Sequence, residues 1–255
     1  MASRYRGKKG KKTNYIKYCL VAGLVLVSVL AGYLAYKHYG IARFFHPDVT
    51  LGNRYTVRGI DVSNHNGKVN FDKVAAAGYS FVYVKASEGA TYKDARFKSN
   101  CSKAARSGLK VGAYHFFRNN RNGVSQARNF IAQARAVDLD MPLVIDIEDA
   151  GNDNSVETAL VHSRLREMAA ELKRAGYKIM IYTNGDGLKK YYQPCFKGEP
   201  LWLCTFNDPD SVKGKGHVMQ QYCHWGKVDG VSGEVDLNVY MGTQRQWDAW
   251  LENAK

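Results

Sequence analysis

The stretch Pro-Leu-Val-Ile-Asp-Ile-Glu, residues 142–148, decides how this chain is read. Leu143, Val144, Ile145 and Ile147 are apolar on both faces, the pattern of a strand buried in a parallel sheet. Side chains two apart on a strand leave from the same face, so Asp146 and Glu148 project together. Two adjacent, partly desolvated carboxyls repel each other. At least one is then expected to keep its proton near neutrality, as a general acid must. An isolated Asp-x-Glu more often caps a helix or pairs with Lys or Arg, so the surroundings have to decide.

Working outward, the chain alternates. Val57–Val62, Phe81–Ala86, Val111–Phe117, Leu143–Ile147 and Ile179–Thr183 read as strands, with helices at Phe71–Ala77, Ala95–Ser107, Val124–Val137 and Ser155–Ala175. Gly78, Gly108 and Gly176 stand where helix C-termini call for glycine. Such alternation means a parallel sheet, closed or doubly wound. After Thr183 the pattern changes. Leu201–Thr205, Val218–Cys223 and Val235–Tyr240 read as strands, but the segments between them are too short and polar for full crossover helices. With Gln244–Glu252 the count is eight strands and about five substantial helices. The expected fold is an α/β barrel whose last third lacks crossover helices.

The 255 residues suit one large domain with appendages, and the formal charge of +14 is unevenly placed. Residues 1–43 hold nine Lys/Arg and no acid, leaving 28 basic against 23 acidic residues in the body. That excess belongs to an arm, so nucleic acid is not an expected partner. From Tyr18 to Tyr36 run 19 uncharged residues. As a helix they reach about 28 Å, close to a bilayer's hydrocarbon thickness. Seven basic residues precede them, and the positive-inside rule keeps the N-terminus cytoplasmic and exports the body. The expected organisation is a basic tail (1–17), a transmembrane signal anchor (18–36), a tether (37–54) and a barrel (55–255). Cleavage after Val29-Leu30-Ala31 is the alternative, against the length of the apolar region. Cys101, Cys195, Cys204 and Cys223 form no C-x-x-C pair or zinc spacing. One disulfide among the last three is expected in an oxidising compartment, its pairing open.

No phosphate loop, His-Glu-x-x-His helix or Gly-x-Ser-x-Gly elbow occurs, and neither cofactor nor metal is expected. In a parallel barrel the chemistry sits at the C-terminal strand ends. These ends read Arg-Gly-Ile-Asp-Val-Ser (58–63), Val-Lys-Ala-Ser-Glu-Gly (84–89), Gly-Ala-Tyr-His-Phe (112–116), the Asp146/Glu148 pair, and Ile-Tyr-Thr-Asn (181–184). Acids, aromatic rings and amides dominate, a palette for binding and cleaving sugars.

With Leu-Trp-Leu (201–203), Gln-Tyr (221–222) and Val-Asp-Leu-Asn (235–238), these motifs resemble, in order, glycoside hydrolase family 25. These are the lysozymes of the N,O-diacetylmuramidase (Chalaropsis) type. The similarity runs from Val57 to Trp250. It implies a flattened barrel short of three helices and metal-free hydrolysis of the β-1,4 bond between N-acetylmuramic acid and N-acetylglucosamine. By motif, Glu148 matches the general acid. Asp146 matches the residue that orients the substrate's N-acetyl group, and Asp61 and Asp236 the supporting acids. Asp236 starts its strand, so it reaches the common rim only if that strand runs antiparallel. Tyr114, Tyr182, Trp202 and Gln221 are candidate substrate contacts. Lys85 is either another or an ion-pair partner of the acids, and His115 is expected in the core. Two positions depart from the family: Gln220 replaces a common Trp, and Cys204-Thr205-Phe206 stands where Ala and Tyr are usual. The expected partner is peptidoglycan, acted on by a monomer outside the cytoplasm. A silent wall-binding barrel and a hydrolase of chitin-like polymers are the alternatives.

Overall fold

The computed structural model describes residues 12–39, 51 and 54–254, with side chains in the first helix described for 17–33. The chain divides into two units, Met1–Asp48 and Val49–Lys255. The first carries helix α1, Lys12–Tyr39. Its described apolar side chains, among them Leu20, Leu24, Val27 and Leu30, are exposed. Among the described residues no helix is long and apolar enough to cross a membrane. The expected span runs on to Tyr36, and 34–36 lie outside the described side chains. Most of the basic tail and of the tether also lies outside the described residues.

The second unit is a barrel. Its strands are β1 (Arg58–Val62), β2 (Phe81–Glu88), β3 (Tyr92–Lys93), β4 (Lys110–Phe116), β5 (Leu143–Asp146), β6 (Ile179–Asn184), β7 (Leu201–Cys204), β8 (Met219–Gly226) and β9 (Val235–Tyr240). They run in the order β1-β9-β8-β7-β6-β5-β4-β2-β3, and a further β1–β2 pairing closes eight of them into a ring. β3 is a short hairpin on the end of β2, absent from the sequence reading. All neighbours in the ring are parallel except β9, which runs antiparallel to both β1 and β8. Asp236 therefore starts its strand at the rim where the other strands end.

Strand parity explains why β2 and β5 are apolar on both faces. Val82, Val84, Leu143 and Ile145 point outward into a layer built with the helices. These are α2 (Phe71–Ala76), α3 (Phe97–Arg106), α4 (Gly123–Ala134) and α5 (Thr158–Arg174). α5 presents Val161, Leu165, Met168 and Leu172, one face at helical spacing. The alternate residues Phe81, Tyr83 and Val144 point inward and meet Met180, Tyr182, Trp202, Met219 and Tyr240. The barrel is thus a plugged core with no channel. Helix α6 (Gln244–Glu252) adds Trp247 to it, 5.2 Å from the rings of both Phe81 and Tyr240. Gly112 makes room for this plug, because a Cβ there would overlap the Tyr83 ring.

The connections in the last third are abbreviated, as expected, but not free of helix. Residues 185–196 form a run of short helical turns seated by buried Tyr191 and Phe196. The Tyr191 hydroxyl and the Lys190 ammonium both bond Asp149. These turns lack a repeating apolar stripe, so the sequence pattern does not announce them. The expected disulfide is a correction: among the described residues no cysteines are joined. Cys204 faces the barrel interior, Cys223 packs outside with Tyr222 and Leu51, and Cys195 sits against the helical layer. The three thiols thus pack into three separate layers, and a disulfide needs two Cβ atoms facing each other at close range.

Because the Tyr83 ring has nowhere to retreat, Gly112→Ala should cost about 1–3 kcal/mol in urea unfolding. Gly214→Ala, with nothing within 4 Å of the new Cβ, should change stability by less than about 0.5 kcal/mol.

Candidate active site

A cleft of about 140 Å³ opens at the rim, lined by Asp61, Tyr114, Val144, Asp146, Glu148, Tyr182, Trp202, Gln221, His224 and Asp236. Its floor is a hydrogen-bonded fan. Trp202 Nε1 donates to Asn238 Oδ1 at 3.0 Å. An indole is only a donor, so it turns the Asn238 amide and aims Nδ2 at Asp61. That Nδ2 donates to Asp61 Oδ2 at 2.8 Å, and Gln221 Nε2 donates to the same oxygen at 2.9 Å. The Tyr182 hydroxyl completes the fan by donating to Gln221 Oε1 at 2.6 Å. Five strands thus hold one carboxyl in place. Burial raises the Asp61 pKa well above the usual carboxylate range and the Asp236 charge adds to it, outweighing the two amide donors.

Asp146 contrasts with this. It is buried at the end of β5, and its Oδ1 has no hydrogen-bond partner among the described residues. Burial, then the neighbouring Glu148 charge, push its pKa well up, while the Lys85 ammonium opposes them. A buried carboxyl oxygen without a partner is costly and calls for an explanation. Glu148 lies just past the strand end, partly buried. Burial raises its pKa and the Asp236 charge helps, against the His224 charge and the Tyr182 hydroxyl. Asp236 sits directly opposite Asp61 in the β1–β9 register. Its Oδ1 is 2.8 Å from His224 Nδ1.

The structure therefore brings together Asp61, Asp146, Glu148, Asp236, Tyr114, Tyr182, Trp202 and Gln221. Trp202 is only 2% exposed, a floor under the cleft more than a platform for stacking. Lys85 does not line it. Its Nζ bonds Glu88 Oε2 at 2.6 Å and lies over the Phe116 and Tyr92 rings. Arg118 takes the other oxygen of Glu88, so Lys85 is neither a lining residue of the cleft nor an ion-pair partner of its acids: its partner is Glu88, outside the cleft. His115 is buried between Ser87 and Gln126, and burial lowers its pKa to about 4. Gln220, at the Trp position, turns away and donates to the Thr205 and Asn207 carbonyls.

The sequence reading missed Asn238 and His224. Asn238 was within reach, since it stands two residues from Asp236 on the same face. His224 was not, because simple alternation from Gln221 puts it on the outer face. β8 carries extra residues between Gln221 and Cys223 and again before Gly226. The first bulge inverts the parity and turns His224 inward, towards Asp236.

With this geometry in view, the comparisons are decisive. Residues 60–231 match the model for glycosyl hydrolases family 25. The chain belongs to that family. It is 32% identical over 184 residues to the autolytic lysozyme of Clostridium acetobutylicum, covering 72% of this chain and 56% of that protein. It thus spans little more than half of that relative's length. It is 33% identical over 215 residues to lysozyme M1 of Streptomyces globisporus, covering 77% of this chain and 72% of the relative. The crystal structure of a bacterial lysozyme from Streptomyces coelicolor superposes with a TM-score of 0.66 at 29% identity, covering 78% of this chain and 98% of that one.

A carboxyl whose pKa in the fold lies above its unfolded value weakens the fold once ionised. The penalty is present at neutral pH and fades as the pH falls towards the unfolded value. Asp146→Asn removes the ionisable group, so it should raise the thermal midpoint by a few degrees at about pH 7.5. The gap to wild type should close by about pH 4. An equal gap at both pH values would show that Asp146 is not a strained carboxylate.

Proposed function

We propose that this chain is a peptidoglycan muramidase of the N,O-diacetylmuramidase (Chalaropsis) type. It would cleave the β-1,4 bond between N-acetylmuramic acid and N-acetylglucosamine. The observation that carries this reading is the pairing, in one cleft, of Glu148, whose pKa burial raises, with buried Asp146, whose Oδ1 lacks a partner among the described residues. Glu148 gives its proton to the glycosidic oxygen as the C1–O bond breaks. The substrate's own acetamido oxygen attacks C1, and the vacant oxygen of Asp146 receives the acetamido N–H. Water then opens the cyclic intermediate and returns a proton to Glu148. Asp61, locked by two amides, and Asp236 set the charge around them. The names of the lysozyme relatives, at identities of 32% and 33%, support the same substrate.

Incubating the purified full chain with peptidoglycan should release fragments with muramic acid at the reducing end. Glu148→Gln should slow release by about 10²–10⁴-fold while still retaining glycan. N-acetylglucosamine at the new reducing ends would overturn the muramidase assignment. Cleavage of chitin alone would favour another amino sugar polymer, and binding without cleavage would favour a wall-binding barrel.

We further propose that Tyr18–Tyr36 is a signal anchor. It would leave the N-terminus in the cytoplasm and a monomeric catalytic domain in the periplasm or outside the cell. The charge asymmetry around 19 uncharged residues supports this. A periplasm-dependent reporter fused after Lys255 should be active. Activity only of a cytoplasmic reporter would refute the orientation, and a mature chain starting near Gly32 would replace the anchor by a cleaved signal.

A further inference from the structure

His224 belongs to the cleft, yet no step of the proposed hydrolysis uses it. Among the ten lining residues it alone carries a basic side chain. Both of its nitrogens are engaged, Nδ1 with Asp236 Oδ1 at 2.8 Å and Nε2 with Cys204 Sγ at 3.7 Å. Its ring stands edge-on to Phe206, with centroids 4.6 Å apart and planes at 74°. Phe206 in turn leans on Trp225 at 5.2 Å. The imidazole cannot rotate without giving up two hydrogen bonds and a ring contact.

We propose that His224 is a positioning residue for the glycosidase reaction. Clamped between Cys204 and Asp236, it fixes the Asp236 carboxylate at the rim and sets a positive charge beside the other acids. The proposal rests on the muramidase reading of the same cleft. The groups facing the imidazole are Cys204 from β7, Asp236 from β9, Glu148 from the end of β5 and Asp61 from β1. Burial disfavours its charge, but the bonds to Asp236 and Cys204 outweigh burial and hold it protonated above the ordinary histidine range. That charge opposes the proton on Glu148 and on Asp61. Without it the cleft would hold four carboxyls and no cation, and Glu148 would keep its proton to higher pH. The His224 and Asp236 side chains are 42% and 34% exposed. Water screens the pair, so direct hydrogen-bond geometry matters more to its hold than distant attraction.

The test compares pH profiles of kcat/KM for wild type, His224→Asn and His224→Gln, using the full chain on purified peptidoglycan. Asn places an amide nitrogen near the position of Nδ1 and keeps a donor to Asp236, without the charge. Gln misplaces that donor. Both variants should move the basic limb to higher pH by about one unit, because the cation opposing the Glu148 proton is gone. Gln should lose more kcat than Asn, with KM little changed in either. A uniform loss at every pH, with the limbs unmoved, would make His224 a merely structural residue and overturn the proposal. So would profiles that superpose on wild type. Histidine-selective NMR titration supplies a readout independent of turnover. His224 should remain protonated through about pH 8 in wild type and return towards the ordinary value near 6.5 in Asp236→Asn. A wild-type titration near 6.5 overturns the clamp whatever the activity. A protonated His224 in a wild type that cleaves no wall preparation would sink the muramidase reading and leave the clamp standing.

Discussion

The active rim depends on one reversed strand. In a ring of parallel strands every C-terminal end lies on the same side, and only the start of an antiparallel strand can share that side. β9 is such a strand, hydrogen-bonded to β1 on one edge and β8 on the other. Its reversal also removes the need for a crossover helix, because antiparallel neighbours can be joined by a short turn and parallel ones cannot. The short β8–β9 link and the Asp61–Asp236 pairing therefore have a single cause. Closure through β9 leaves no long open edge in the ring, and it brings Asn238 and Trp202 within hydrogen-bonding reach.

Above that seam, four carboxyls share a small space, and the fold treats each differently. Asp61 is tied down by two amides whose orientation is dictated by an indole donor and a tyrosine hydroxyl. Asp146 is buried with one oxygen unpartnered among the described residues. Glu148 stands past the end of its strand with partial access to solvent, and Asp236 is bonded to a histidine. Like charges so close cannot all ionise at low cost, so burial and partner choice divide the protons among them. The barrel tolerates this because its lower half is a dense aromatic plug. Phe81, Tyr83, Trp202, Tyr240 and Trp247 interlock there. Stability drawn from that half offsets strain held at the mouth, a division common to enzymes whose active groups are not at their own stability optimum.

A second polar layer lies beside the cleft without entering it. Glu88 bridges Lys85 and Arg118, whose cations rest on the Phe116 ring. His115 spans Ser87 and Gln126 below them. These groups fix the ends of β2 and β4, and the Lys85 charge reaches Asp146 from there. A residue can thus tune a cleft electrostatically while its side chain is spent on a partner elsewhere.

The sequence by itself determined the strands, their order of chemistry-bearing ends and the barrel helices. Each of these rests on local pattern: period-two alternation, helical spacing, and glycines that stop helices at 78, 108 and 176 with φ near +84°, +81° and +90°. It also determined the four acids and the need for β9 to run backwards, since a strand-initial Asp236 has no other route to the rim. Only the tertiary structure decided the rest. Lys85 chose Glu88 over the cleft, the late cysteines fell into separate layers, and helical turns formed at 185–196 around Tyr191. The clearest case is His224. Alternation along the chain assigns it to the outer face, and a bulge whose position depends on pairing with β9 turns it inward. Register is a property of two strands together, so neither strand's sequence carries it alone.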